Sequence, residues 1–493
     1  MAQNIPWRCI NVRVWKDENS VVALLQHLQE AYQLVVSFGL DGEDGNGREA
    51  SLNRLLAAHV DALESLPGAD LTGRAFPVSV SLSSKISTAV AEYWQKSSTF
   101  PKGVFPDTVL YFSGKSGNIR GLLKREPESY DSYISHFQTI REIINDDGIL
   151  GHEGRGNLAV KCTDVVLQDP LDSLRGACHK SAVPCLQKTD VVFKGVTFAD
   201  YLAFPDDVFR CRMDSLHREI SLLCNTIPRH PNIMPPPLRL VIHASPEGLG
   251  SGKVVGVLYE WYKNGSVAAL IERSLENGSR IPPSWKAKWC FQLADALYHV
   301  HHKGRSWHQD LKPPNILLDD QCNVVIIDWE QGIGGANTFI SAPEVDGSFD
   351  LEVKSSGSSA TDSLPELVYI PYQGPPRINN IIGIPQWDVF PQWHELSPRA
   401  VEAADVFSLG STMFLLLEEI GLERQPGLGD YSRTRRLWTD KSADIPQKWK
   451  DNVTACTRQD ANDRLTLTEV RAFWGNEWRR QSMAVSNRAG GPA

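Results

Sequence analysis

Apolar residues recur at two kinds of spacing along this chain, and the spacings divide it. Near the N-terminus Val21, Leu24, Leu25, Leu28, Tyr32 and Val35 fall at intervals that predict a helix, and the run Asp41-Gly42-Glu43-Asp44-Gly45-Asn46-Gly47 then stops it. Leu52, Leu55, Leu56, Val60, Leu63 and Leu66 predict a second helix. Val78, Val80 and Leu82 alternate with serines as a half-buried strand does, and Tyr133, Phe137, Ile140 and Ile144 predict another helix. Residues 1–150 therefore read as an α+β accessory region whose apolar stripes form core.

From about residue 151 the order of elements changes. Val191-Val192-Phe193-Lys194 reads as a strand carrying a lysine, and Asp214 to Leu223 as a helix carrying Glu219. Gly256-Val257-Leu258-Tyr259-Glu260-Trp261-Tyr262 reads as a further strand, Ser284 to His302 as a helix, and Ile316-Leu317-Leu318 with Val324-Val325-Ile326-Ile327 as a pair of strands. Two inserts interrupt the pattern. Cys162 to Lys188 separates the first strands, and Val345 to Pro398 carries Ser355-Ser356-Gly357-Ser358-Ser359 with little periodicity, which predicts a long, partly ordered surface loop. Residues 481–493 read as a disordered tail.

Composition narrows the setting. The 493 residues suffice for two to four domains, and a formal net charge of −9 argues against nucleic acid or an anionic membrane as the main partner. The nine cysteines are scattered singly with no C-x-x-C, as reduced intracellular thiols would be, and Cys290 and Cys322 read as core filling. Met1 to Val14 lacks a basic region followed by an apolar run, and no apolar stretch is expected to approach the ~18 residues of a membrane span. A cytoplasmic protein is expected, with the nucleus left open.

The densest chemistry lies in Trp307-His308-Gln309-Asp310-Leu311-Lys312-Pro313-Pro314-Asn315-Ile316. An acid, a cation two residues on and an amide five residues on share one loop, and a second acid, Asp328, follows the next two strands. Phosphoryl transfer from ATP asks for this set: a carboxylate to orient the attacking hydroxyl, a cation for the moving charge, and oxygen ligands for Mg²⁺.

The string from His308 to Asn315 resembles the catalytic loop of eukaryotic-type protein kinases, H-R-D-L-K-P-x-N, at every position but the second. His230-Pro231-Asn232-Ile233, Ala342-Pro343-Glu344, Asp405-Val406-Phe407-Ser408-Leu409-Gly410 and Arg464 resemble the family's later landmarks. The resemblance, to a divergent, fungal-like serine/threonine kinase, implies an α+β, two-lobed protein-kinase-like fold over 151–480. A β-rich N-lobe would span 151–265 and a helical C-lobe 266–480, with the insert at 345–398. It also implies ATP and Mg²⁺, a protein substrate and, for the N-terminal region, a possible protein partner.

Residue roles follow from the same resemblance. Asp310 would be the catalytic base, Lys312 would meet the γ-phosphate, and Asn315 and Asp328 would hold Mg²⁺. Lys194 would grip the α- and β-phosphates and pair with Glu219; Glu260 and Tyr262 would lie at the adenine hinge, with Tyr259 at the gatekeeper position. Lys161, in Leu158-Ala159-Val160-Lys161, looks more like V-A-I-K by its letters but lies 58 residues before Glu219 (219 − 161), against 25 for Lys194 (219 − 194).

Several positions depart from the family. Gly151-His152-Glu153-Gly154-Arg155-Gly156-Asn157-Leu158 matches two of three glycines of the phosphate loop, with Glu153 where the middle glycine belongs. Asp328-Trp329-Glu330 replaces D-F-G, and Gln309 replaces the arginine that pairs with a phosphorylated activation segment. That segment is short, 17 residues from Asp328 to Glu344, with Thr338 and Ser341 as its candidate phosphosites. These departures keep open a pseudokinase that binds partners. Ile327-Asp328-Trp329-Glu330 also looks like the I-D-W-E of choline and aminoglycoside kinases, which keeps open a small-molecule phosphotransferase.

Overall fold

The computed structural model describes residues 7–14, 20–27, 33–39, 86–88, 90–91, 108–113, 120–145, 158–171, 178–184, 186, 190–245, 248–331, 340–354, 365–378, 387–421 and 437–489. They fall into two compact units. The first comprises Met1–Ile220 and Pro236–Trp261, and the second Ser221–Pro235 and Tyr262–Ala493.

The first unit opens with a five-stranded sheet in chain order: β1 (Trp7–Val14), β2 (Ser20–His27), β3 (Gln33–Gly39), β4 (Thr108–Ser113) and β5 (Arg120–Arg125). Neighbours are antiparallel except β3 and β4, which run parallel. The helix expected from Val21 to Val35 is thus two strands. Val22, Ala23, Leu24 and Leu25 are all buried, so β2 lacks the alternation that marks a half-exposed strand and its apolar run mimics helical spacing. The helix read from Leu52 to Leu66 and the strand read at Val78–Leu82 lie outside the described residues.

The second sheet has the order β6 (Ala159–Lys161), β10 (Arg239–Ser245), β11 (Gly248–Glu260), β9 (Val191–Gly195), β8 (Cys178–Ala182), β7 (Val166–Pro170). Only β6 and β10 pair in parallel. The insert expected from Cys162 to Lys188 therefore supplies two strands, β7 and β8. Leu158, at the end of Gly151–Leu158, leads into β6, on the edge of the sheet opposite β7. The rest of that glycine segment lies outside the described residues.

Lys194 sits opposite Val257 in the β9–β11 ladder, and Tyr259 opposite Val192. Gly256 faces Gly195 there because a Cβ on Gly256 would stand 2.4 Å from the Phe193 ring. Among the described residues, the helices of this unit include α1 (Pro127–Ser135), α2 (Ile140–Ile143), α3 (Phe198–Ala203) and α4 (Asp206–Ser221). The single helix expected through Tyr133 and Ile144 is broken into α1 and α2. Thr139 and Glu142 form a capping box that starts the second piece. β1 and β2 lie against β7 and α3, so the N-terminal sheet and the second sheet share one unit.

The second unit is mainly helical: α5 (Val267–Glu276), α6 (Pro283–His302), α7 (Phe390–Leu396), α8 (Pro398–Glu418), α9 (Gln447–Cys456) and α10 (Leu467–Ala489). Two hairpins complete it, β12 (Ile316–Leu318) with β13 (Val324–Ile326) and β14 (Phe349–Lys354) with β15 (Glu366–Pro371). α8 is the core helix. By length and composition it could cross a membrane, contrary to the expectation from the sequence, but 94% of its most apolar window is buried. Its charged residues crowd the first two turns and the last, which leaves twelve uncharged positions from Val406 to Leu417. Gly410 lets α9 approach, since a Cβ there would lie 2.6 Å from the Cβ of Cys456.

The Val345–Pro398 insert is more ordered than its sequence suggests. Leu351 and Leu367 of the β14–β15 hairpin are buried with Trp393 of α7 and Phe407 of α8, and Asn462 bonds the backbone of Leu367 in both directions. Ser355–Ser359 lie outside the described residues. α10 runs to Ala489, past the point where a disordered tail was expected. Cys290 is fully buried as anticipated, while Cys322 is half-buried in the β12–β13 turn at φ 53°.

Candidate active site

Two clusters of polar side chains form, one within each unit. In the first, β9 and α4 bring Lys194 and Glu219 together. Lys194 Nζ lies 2.8 Å from Glu219 Oε2, and the Tyr259 hydroxyl on β11 donates to Glu219 Oε1 at 2.8 Å. Glu219 is fully buried and Lys194 is 8% exposed. A buried lysine and glutamate tolerate such a site only as a well-bonded pair. Lys161 is exposed on edge strand β6 and is not the lysine that meets Glu219. Glu260 ends β11, exposed, opposite Val191.

In the second unit the catalytic-loop string is held by its neighbours. His308 is buried and works through both ring nitrogens: Nδ1 accepts the amide of Asp310 at 3.2 Å, so Nε2–H donates to the carbonyl of Ile327 at 2.9 Å. Asp405, the eighth residue of α8, accepts the amides of His308 at 2.9 Å and Gln309 at 3.0 Å and lies 2.8 Å from His301 Nε2. Thr412 donates to the carbonyl of Leu311.

This scaffold presents Asp310, whose Oδ2 accepts from Lys312 Nζ at 2.6 Å and from Asn315 Nδ2 at 3.1 Å. Asn315 and Asp328 lie at the same end of the β12–β13 hairpin, because Ile327 N donates to the carbonyl of Asn315 at 3.0 Å. Their oxygens are the donor type that Mg²⁺ takes, so the set fits that ion. Gln309 and Asp328 adopt left-handed backbone, φ 73° and 68°, a conformation strained for a residue with a side chain. Tyr262, just past β11, accepts the amide of Gly265.

Several further contacts of the site are not signalled in the sequence. Gln309 donates to Asp388, which also caps the first amide of α7, and Trp307 packs against His394 at 5.0 Å. Gln331 donates to Ser306 and to the Trp307 carbonyl. Trp329 is buried against His308 and donates to Ile326, which gives the aromatic in Asp328-Trp329-Glu330 a structural job. These contacts depend on long-range placement that no local spacing reveals. The activation-segment end is anchored as expected: Arg464 makes a two-pronged pair with Glu344 at 2.5 and 2.9 Å, both buried. Thr338 lies outside the described residues and Ser341 is half-buried.

Electrostatics make one of these contacts testable. Burial would raise the Asp405 carboxyl, but the hydrogen bond and charge of His301 and the amide of His308 outweigh it and hold it below the usual carboxylate range. Its contribution to stability is therefore present above the unfolded value of about 3.9 and lost as pH falls through the lower folded value. Wild-type melting temperature should drop across that acid window, and Asp405→Asn should melt lower at neutral pH with a flatter acid limb. Parallel acid limbs in thermal melts of the two proteins would contradict this.

Comparison with known proteins agrees with this geometry. Residues 206–339 match the protein kinase domain model, from the start of α4 through the Asp328 segment. The chain is 37% identical over 117 residues to CBL-interacting serine/threonine-protein kinase 24 of Arabidopsis thaliana, covering 24% of this chain and 23% of that protein. It is 28% identical over 104 residues to the serine/threonine-protein kinase mig-15 of Caenorhabditis elegans, covering 20% and 9%. A probable inactive L-type lectin-domain containing receptor kinase III.1 of Arabidopsis thaliana is 34% identical over 98 residues, covering 19% and 15%. The chain thus spans about a quarter of the length of the first relatives it matches. With an α+β architecture, a β-rich unit that carries the lysine–glutamate pair and a helical unit that carries the Asp310 loop, the chain is similar over residues 206–339 to the eukaryotic-type protein kinase superfamily.

Proposed function

We propose that the chain is an ATP-dependent kinase that phosphorylates serine or threonine hydroxyls of a protein in the cytoplasm. The observation that carries the reading is the buried Lys194–Glu219 pair, which a non-catalytic domain has little reason to keep at the desolvation cost of two charges. Lys194 would hold the α- and β-phosphates, and the hinge at Glu260 and Tyr262 would take adenine. Asn315 and Asp328 would hold Mg²⁺, which when bound neutralises phosphate charge. Asp310 takes the proton from the acceptor hydroxyl as its oxygen bonds the γ-phosphorus and the bond to the β–γ bridging oxygen breaks, leaving ADP. Lys312 lies beside Asp310 to meet the charge on the moving group.

The described parts of 345–398 are a hairpin and the seven-residue α7, not the helical subdomain that would favour a small-molecule acceptor. A second reading, a nucleotide-binding scaffold without turnover, is favoured by Gln309, Glu330 and the relatives whose names call them inactive. The test is ADP formation with Mg²⁺-ATP and a generic protein acceptor, for wild type and Lys194→Met. A hydrogen bond to a charged group is worth about 1.5–3 kcal/mol, so the variant should lose roughly 10–100-fold. A silent wild type that still binds nucleotide would turn the assignment to the scaffold.

A further inference from the structure

Residues 130–142 lie outside the 206–339 match to the kinase model, yet they touch every element that positions the Lys194–Glu219 pair. Tyr133 is buried, and its hydroxyl donates at 2.8 Å to the carbonyl of Val196, two residues beyond Lys194. The carbonyl of Gln138 accepts the amide of Val254 on β11 at 2.9 Å, and Thr139 bridges to Lys253. The carbonyl of the same Val254 lies 3.3 Å from Nε2 of His217 on α4. Phe137 meets the His217 ring edge-on at 6.3 Å and the Phe209 ring at 6.2 Å, and Tyr133 and His136 also pack on Phe209.

The geometry of α4 gives these contacts a meaning. Phe209 and His217 are eight residues apart, about 12 Å along the axis at 1.5 Å per residue. A helix gripped at one point can pivot, whereas one gripped at two points that far apart cannot swing or roll. Glu219 follows His217 by two residues, about 200° around the helix, and lies about 80° around it from Phe209, so it stands beside the gripped residues and not among them. The brace meets α4 at Phe209 and His217, while Glu219, off to one side of them, meets Lys194.

We propose that residues 130–142 are a built-in brace that fixes the Glu219 helix relative to the Lys194 strand, with Phe137 and Tyr133 as positioning residues. The brace itself is a structural claim; only its effect on nucleotide binding rests on the kinase reading above. Hydrogen exchange of the full-length protein reads the first. Phe137→Ala should speed exchange of the α4 amides about tenfold or more while leaving the α8 amides unchanged, and Phe137→Leu should restore most of the protection. If Phe137→Ala does not fold, Tyr133→Phe keeps the ring, removes the donor to Val196, and should still loosen α4. Wild-type exchange in α4 for both Phe137→Leu and Tyr133→Phe, with Phe137→Ala folded and equally protected, overturns the brace.

Binding of Mg²⁺ with a fluorescent ATP analogue reads the second. Phe137→Ala should weaken binding about tenfold in the wild-type background and not at all in a Glu219→Ala background, because it acts through Glu219. Full additivity of the two changes would overturn the positioning role. Absence of analogue binding by wild type would sink the kinase reading, and the exchange experiment would still decide the brace.

Discussion

On the proposed kinase reading, Asp310→Asn should lower ADP formation by about 10²–10⁴-fold, the usual contribution of a positioned general base. The substitution is suited to the question because the loop's shape does not depend on the Asp310 charge. His308 spans Ile327 and the Asp310 amide, and Asp405 holds the two preceding amides, so the backbone stays in place when the carboxylate becomes an amide. The new side chain keeps an oxygen that can accept from Lys312 or Asn315. What it loses is the ability to take a proton from the acceptor. Melting temperatures of variant and wild type should agree within a few degrees. Turnover within about threefold of wild type would remove Asp310 from the chemistry.

The second large effect is on stability. Arg464→Leu should destabilise the second unit by about 3–5 kcal/mol, as removal of one partner from a buried ion pair does. Arg464 bonds both oxygens of Glu344 and the carbonyls of Ala403, Arg458 and Gln459, and it lies over the Phe407 ring at 4.9 Å. Leucine satisfies none of these acceptors and leaves Glu344 charged without its partner. At about 2–4 °C per kcal/mol for a unit of this size, the melting temperature should fall by roughly 6–20 °C. A drop under about 2 °C in a thermal melt would mean that the pair is not the anchor its geometry indicates.

The cluster of Asp310, Lys312 and Asn315 was legible because it is contiguous: acid, lysine and amide share one short turn, so their spacing survives in the sequence. Lys194 was legible for a related reason, since a strand and the helix after it can bring a lysine to a glutamate over 25 residues, and the 58 from Lys161 cannot do so without an extra element. Periodicity failed where strands are buried on both sides. Val22 to Leu25 are apolar at every position, which erases the period of two. It also failed at β7 and β8, whose polar edge residues hid two strands inside an apparent insert. The Asp388–Gln309 contact spans 79 residues and joins two polar side chains of common type, so nothing local announces it. Likewise the β14–β15 hairpin owes its order to burial of Leu351 and Leu367 beside α7 and α8, not to a turn motif.

The way the chain passes between its units governs when the first can form during synthesis. β11 lies between β10 and β9, but it ends at Glu260, long after β6 begins at Ala159. Until β11 leaves the ribosome, β9 has no partner on one side and the pair β6–β10 has nothing to join. The interval is 101 residues (260 − 159), or roughly 5–20 s at a bacterial or eukaryotic pace of about 5–20 residues per second. For that time the nascent chain holds unpaired strand edges, the kind of surface that invites chaperones and mispairing. Assembly of the sheet that carries Lys194 is therefore set by translation of its last strand, not of its first.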